Sequence, residues 1–250
     1  MDPTEGTKRN GSNSGPPAAA AWAVHAFTAT GVVIALMSLL AVERGDFLGA
    51  LLWLMLGLAV DGVDGSLARW ARVKTKAPRI DGDTLDLIID YLTYVFVPAM
   101  LILRSGYLPD DLGPWLAGLI LVSALYNFTR RDLKTEDNYF RGFPANWNVI
   151  AFYFFVAEPS AMVAATVIIL LAAATFAPIH FVHPFRVRDY GRFLPLLALF
   201  WAAVTGLLLW RDLDPNLWRA LMLSSLASAA ILVGLGLWRS IRGPLSARAK

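Results

Sequence analysis

The sequence contains no cysteine, which excludes a disulfide framework, a thiolate metal site and a cysteine nucleophile. It shows no periodic repeat and no second soluble domain. It also has no small-residue cleavage site after its first apolar run, although Lys8 and Arg9 precede that run as they would in a signal peptide. The run continues to about Val42 and reads as a retained span. Polar residues are scarce as well. The chain is 57% hydrophobic with a mean hydropathy of +0.54, where a soluble domain is nearer ~45–50% apolar. The excess indicates a polytopic membrane protein, and nine Trp and fourteen Phe suit lipid-facing and interfacial positions. Nucleic acid is not an expected partner. The net charge of +3 matters less than where the charges lie.

Residues 1–20 are rich in Gly, Ser, Pro and Asn and read as a flexible cytoplasmic tail. Residues 21–238 form the membrane domain, and 239–250 a basic cytoplasmic tail. A spanning helix needs roughly 20 mostly apolar residues. Candidates are about 21–42, 47–69, 83–103, 112–128, 146–157, 160–179, 193–210 and 217–238. The fifth is short, and only "AEPS" at 157–160 separates it from the sixth, so six or seven spans also fit hydropathy.

The linkers alternate in charge. Arg69, Arg72, Lys74, Lys76 and Arg79 crowd one, and Arg130, Arg131, Lys134 and Arg141 the next but one. Arg186, Arg188 and Arg192 fill a third, and Arg239, Arg242, Arg248 and Lys250 the tail. The linkers between hold Arg44, then Arg104 with Asp110 and Asp111, then Glu158, then Arg211 with Asp212 and Asp214. By the positive-inside rule, both termini and the basic linkers are expected in the cytoplasm. About eight spans satisfy the alternation, which predicts an all-α transmembrane bundle.

Against this background, "DGVDGSLAR" at 61–69 and "GDTLDLIID" at 82–90 stand out. A charged acid at membrane depth costs roughly 2.5 to 3.5 kcal/mol on insertion scales. On a helix, Asp61, Asp64, Gly65 and Ala68 share one face, at i, i+3, i+4 and i+7. Gly82, Asp86 and Asp90 share another, at i, i+4 and i+8. In an antiparallel hairpin the four carboxylates meet just inside the cytoplasmic interface, with no Lys or Arg within the stripe. Four like charges repel, and a divalent cation, or a pair, removes the objection. Oxygen donors without His or Cys favour Mg²⁺ or Mn²⁺ over zinc. Gly65, Ala68 and Gly82 clear space beside the acids, and Arg69 can reach phosphate oxygens. Hard cations, a phosphate-matching Arg and a groove together suggest phosphoryl transfer.

Plainer readings exist for several of these residues. Small residues on transmembrane helices serve close packing, which accounts equally well for Gly65 and Gly82 taken alone. The linker cations are most simply topology signals. Asp81 and Asp83 lie off the 86/90 stripe and suit interfacial solvation or helix N-capping. Four acids on two matched stripes have no such plain reading.

Asp61-x-x-Asp64-Gly65-x-x-Ala68-Arg69 … Gly82-x-x-x-Asp86-x-x-x-Asp90 resembles the signature of the CDP-alcohol phosphotransferase family, with every fixed position filled. These are integral membrane enzymes that join an alcohol to a phospholipid precursor and release CMP. The resemblance implies that Asp61, Asp64, Asp86 and Asp90 hold the metal pair, Mn²⁺ or Mg²⁺. It implies that Asp90 also takes the proton from the attacking hydroxyl. Asp61, Gly65, Ala68, Arg69 and Gly82 are implied at the cytidine nucleotide and its diphosphate. Family members often carry Asn-x-x-Thr near the start of the first span. Here His25-Ala-Phe-Thr28 takes that place, with His for Asn, so Thr28 joins the nucleotide set and His25 does not.

Twelve residues separate Arg69 from Gly82, more than in most members. That spacer, "FRGFPANWN" at 140–148 and "HPFRVRDY" at 183–190 resemble the choline-using bacterial branch of the family. The expected substrates are therefore choline and CDP-diacylglycerol, at the cytoplasmic face of a bacterial inner membrane and among its lipids. A homodimer is compatible with this. Choline must be recognised through aromatic faces, by cation–π contacts. Tyr94, one turn beyond Asp90, is the first candidate, with Tyr91, Tyr153 and Trp147 beside it. Arg186 and Arg188 are candidates for the lipid phosphate. Serine, glycerol 3-phosphate or inositol could replace choline within the same chemistry. A cation-coupled transporter also carries intramembrane acids, but usually near the bilayer midplane.

Overall fold

The computed structural model describes residues 16–210 and 212–244. Most of the expected N-terminal tail, Arg211 and the end of the basic C-terminal tail lie outside the described residues. In chain order the helices are α1 (Ala18–Glu43), α2 (Phe47–Ala71), a single turn α3 (Val73–Lys76) and α4 (Gly82–Asp90). A π-helical turn (Tyr91–Phe96) joins α4 to α5 (Val97–Arg104). Then come α6 (Gly113–Thr129), α7 (Trp147–Ala157), α8 (Ala161–Phe176), α9 (Phe193–Leu207) and α10 (Pro215–Arg242). Two two-residue strands complete the described chain, which is nearly all-α: β1 (Phe140–Arg141) and β2 (His180–Phe181).

Four helical stretches are long and apolar enough to cross a membrane: α1, α2, the composite Gly82–Arg104 and α10. The other four apolar stretches expected from hydropathy carry the shorter helices α6 to α9. The break between the fifth and sixth falls at 158–160, where Glu158 takes a left-handed φ of 44° and ends α7. With 11 residues, α7 rises only about 16 Å at 1.5 Å per residue.

Aspartates set three of the helix starts, as their capping chemistry dictates. Asp46 accepts from Gly49 N at 2.9 Å and opens α2. Asp81 accepts from Asp83 N and Thr84 N and opens α4. Asp214 opens α10, with Pro215 at its first position, where the missing N–H is no loss.

α1 packs along α2 and also touches α4, the π turn and α5, so it lies at the centre of the acid-bearing half. The main core gathers Val95, Val97, Leu101 and Ile102 of the third stretch with Ile120, Trp147 and Ile168. Val33, Leu36, Trp115, Met162, Leu170 and Leu223 are exposed on the outside. The helices satisfy their own backbone, so such faces can meet lipid without unpaired polar groups.

Two features were not anticipated from the sequence. The first is the π turn, placed where Pro98 removes the N–H that the Tyr94 carbonyl would accept in an α-helix. The second is the small sheet, in which Phe140 pairs with Phe181 and Arg141 with His180. Strands of two residues are too short to show any periodicity. The sheet ties the 130–146 linker to the 177–192 linker, and the pair is clamped onto α10. Arg239 Nε donates to Asp137 at 2.8 Å, and His180 N donates to Ser240 Oγ at 2.7 Å.

Candidate active site

Asp61, Asp86 and Asp90 are brought together by packing of α2 against the composite third stretch. One carboxylate oxygen from each lies within 4.8 Å of the others. None has an Arg or Lys in salt-bridge contact among the described residues. Asp90 Oδ1 is buried and has no hydrogen-bond partner, an acceptor waiting for a donor or a cation. An all-oxygen donor set with an unsatisfied buried member fits Mg²⁺ or Mn²⁺.

Asp64 stands outside this three-member group. It is buried one turn further along α2, within hydrogen-bonding reach of Thr28 on α1. Its charge still acts on Asp86 and Asp90, so it borders the group. Helical spacing places Asp61 and Asp64 on one face, but the neighbour each meets depends on α1.

The two signature glycines differ. A Cβ on Gly82 would lie 3.2 Å from Cε1 of His25, so Gly82 lets α4 approach α1 closely. A Cβ on Gly65 would meet only Arg69 Nη1, at 3.5 Å, so Gly65 borders open space. Close packing therefore explains Gly82, whereas Gly65 leaves a gap beside the acids. Ala68 is half-buried on the same face, and Arg69 donates to Ser66 Oγ at 3.0 Å. His25 is buried, close to the Ala77 carbonyl, and forms an edge contact with Trp22. Asp83 is exposed and paired with Lys74 at 2.6 Å, and Asp81 is a helix cap; neither joins the carboxylate group.

Of the aromatic candidates, Tyr94 alone has its polar end among the acids, donating to Asp61 Oδ2 at 2.7 Å. Tyr91 donates to the Leu121 carbonyl at 3.1 Å and meets Phe128 edge-on. Tyr153 bonds Ser225 at 2.7 Å and accepts from Trp201 Nε1 at 2.9 Å, tying α7 to α9 and α10. Trp147 is fully buried against Phe143, with its Nε1 unpartnered. Arg186 and Arg188 are exposed on the 177–192 linker.

Lys134 was legible in the sequence only as a topology charge. In the fold it is half-buried, and its charge acts on Asp90, Asp86 and Asp61. Arg186 lies close enough to oppose it. Burial first, then Arg186, holds the Lys134 ammonium below the usual lysine range. Nothing in the local sequence marks this position, because a non-local sheet carries it there.

A half-buried carboxylate trio that could hold a metal ion, with an open Gly65–Arg69 face beside it, lies among helices apolar enough to cross a membrane, the outline of a membrane phosphotransferase. The chain belongs to the CDP-alcohol phosphatidyltransferase family, whose pattern matches residues 23–179. It is 46% identical over 224 residues to a phosphatidylcholine synthase of Pseudomonas aeruginosa, covering 90% of this chain and 93% of that one. It is 39% identical over 198 residues to a phosphatidylcholine synthase of Agrobacterium fabrum, covering 79% and 82%. A phosphatidylcholine synthase of Legionella pneumophila is 39% identical over 193 residues, covering 75% of each.

Proposed function

We propose that this chain condenses choline with CDP-diacylglycerol to give phosphatidylcholine and CMP. The observation that carries the reading is the convergence of Asp61, Asp86 and Asp90 beside the open Gly65 face. The near full-length similarity to phosphatidylcholine synthases supplies the acceptor.

In this reading the choline hydroxyl attacks the lipid-side phosphorus of CDP-diacylglycerol. A new O–P bond forms, the P–O bond to the cytidylate breaks, and CMP leaves with the bridging oxygen. Asp90, half-buried and with one oxygen free of hydrogen bonds, accepts the hydroxyl proton. Asp61, Asp86 and Asp90, with Asp64 at their border, hold Mn²⁺ or Mg²⁺, which when bound neutralises charge developing on the phosphate. Gly65 and Ala68 leave room for the cytidine, Arg69 reaches its diphosphate, and Thr28 orients Asp64. Gly82 brings α4 against α1 so that Asp86 reaches the group. Tyr94 offers its ring face to the choline ammonium while its hydroxyl orients Asp61. The basic linkers support a cytoplasmic site, and a bacterial inner membrane supplies the lipid substrate.

The test is an acceptor panel with the purified chain, CDP-diacylglycerol and Mn²⁺. Choline should support CMP release, and serine, glycerol 3-phosphate and inositol should not. Turnover with serine but not choline would overturn the substrate assignment and leave the family chemistry standing. Absence of CMP release with every acceptor would favour the transporter reading.

A further inference from the structure

The linker around Lys134 folds back on itself. Arg141 N donates to the Leu133 carbonyl at 2.9 Å, Thr135 N donates to the Tyr139 carbonyl at 2.8 Å, and Lys134 faces Phe140 in a bridge. This flap is fixed at several points. Asp137 accepts two bonds from Arg239, and Tyr139, fully buried, donates to Asp189 at 2.9 Å. β1 also pairs with β2.

On this frame the Lys134 ammonium lies 4.9 Å from the centroid of the Phe140 ring, and that ring stacks on His183 at 5.3 Å and 8°. Lys134, Arg186 and His183 therefore form one wall. They act electrostatically on one another, and Lys134 acts on the three carboxylates as well. Neither Lys134 nor Arg186 makes a salt bridge among the described residues. His183 Nδ1 is buried without a hydrogen-bond partner.

Two mutually repelling cations and an unpartnered imidazole nitrogen, with Lys134 in electrostatic range of three carboxylates, are an unfinished arrangement. An unsatisfied buried polar group destabilises the folded chain, and like charges add to this. Direct Lys134–carboxylate pairing would relieve it, but Lys134 makes no such salt bridge among the described residues, and its flap is fixed elsewhere by Asp137 and Tyr139. A phosphate group would complete the arrangement, because its oxygens can face these cations on one side and a metal held by the carboxylates on the other. Burial, then the charges of Lys134 and Arg186, pushes the His183 imidazole down to about 4, so at neutral pH it offers a neutral ring.

We infer that Lys134, Arg186 and His183 form a phosphate subsite facing the carboxylates, and that it holds the lipid-side phosphate of CDP-diacylglycerol. This rests on the phosphatidyl-transfer reading above and adds Lys134 and His183 to it. The wall repels a quaternary ammonium, so in this arrangement choline approaches away from it, with Tyr94 beside Asp61 as its aromatic contact.

The test measures equilibrium binding of CDP-diacylglycerol and of CMP to the full chain in detergent with Mn²⁺. The shared chemistry is a phosphate oxygen, and the two probes separate the lipid-side phosphate from the nucleotide-side one. A hydrogen bond to a charged group contributes about 1.5–3 kcal/mol, so Lys134→Ala should weaken CDP-diacylglycerol binding about 10-fold or more. CMP binding should change less than about threefold, and Lys134→Arg should restore most of the lipid affinity. His183→Ala should weaken lipid binding more than His183→Gln, which keeps an N–H donor. Matching thermal unfolding midpoints for Lys134→Ala and Lys134→Arg exclude misfolding as the cause. Unchanged lipid binding in Lys134→Ala, or equal loss of CMP binding, overturns the subsite. So does a fall in choline KM with lipid affinity intact. Failure of choline to release CMP in the unaltered chain strikes the acceptor assignment instead, and the binding comparison does not depend on it.

Discussion

Tyr94 donates its phenolic hydrogen to Asp61 Oδ2 at 2.7 Å and so joins the π turn to α2 at the depth of the carboxylates. The bond commits one oxygen of Asp61, whose carboxylate also lies in the group with Asp86 and Asp90. Outer partners of this kind typically change metal affinity or activity by about 10–100-fold when removed. Tyr94→Phe should therefore raise the Mn²⁺ concentration for half-maximal activity about 10-fold. Tyr94→Ala should in addition raise the choline KM more than the lipid KM. A Mn²⁺ titration of Tyr94→Phe that overlays the unaltered chain would show that the bond does not orient Asp61.

Asp90 and Asp83 are a matched pair of controls seven positions apart on one helix. Asp90→Asn cannot accept the hydroxyl proton and ligates a hard cation poorly, so turnover should fall by orders of magnitude. Asp83 is exposed and bonded to an exposed Lys74. Solvent screens pairs of that kind, so they contribute little. Asp83→Asn should keep most of its activity and its unfolding midpoint, and similar losses in both variants would count against the stripe.

The two glycines should fail in different assays. At Gly65 an added side chain enters open space, so Gly65→Leu should fold normally and lose CDP-diacylglycerol binding. At Gly82 even a methyl group crowds His25. Overpacking costs roughly 1–3 kcal/mol, so Gly82→Ala should lower the unfolding midpoint by several degrees. A normal midpoint for Gly82→Ala would mean that His25 shifts without cost.

The imidazole of His183 is held down to about 4 by burial and by Lys134 and Arg186. In the unfolded chain it titrates near pH ~6.5. As pH falls, the unfolded state takes up its proton first, which favours unfolding. The stability contributed by a neutral His183 is thus intact above pH ~6.5 and is lost progressively toward about pH 4. His183→Gln should flatten that part of the midpoint-against-pH curve in detergent, and an unchanged slope would place the titration elsewhere.

Orientation in the membrane can be read with fusion reporters. Those placed after Lys76, Lys134 or Arg188 should report cytoplasmic, and those after Asp110 or Asp212 external. A cytoplasmic signal at Asp110 would separate α2 from the third stretch and is incompatible with the carboxylate group.

Some of this protein follows from residue order alone. Helical periodicity puts Asp61 with Asp64 and Asp86 with Asp90, because face assignment depends only on spacing along one helix. Capping chemistry is equally local, and Asp81 opens α4 as its position before the apolar run suggests. The apolar stretches and their breaks, even the short interruption at 158–160, follow from composition. Other features arise only where separate segments meet. Asp64 turns to Thr28 and leaves a trio of carboxylates, because α1 packs where it does. Gly82 is occupied by His25 and Gly65 is not, a difference no helical wheel contains. Tyr94 reaches Asp61 across a π turn, while Tyr91 turns away to α6. Lys134 lies 44 residues from Asp90 in the chain. A two-residue strand pairing and the Asp137–Arg239 clamp carry its charge to the carboxylates. Such contacts are set by the packing of surfaces far apart in sequence, and a linear pattern holds no record of which surfaces will touch.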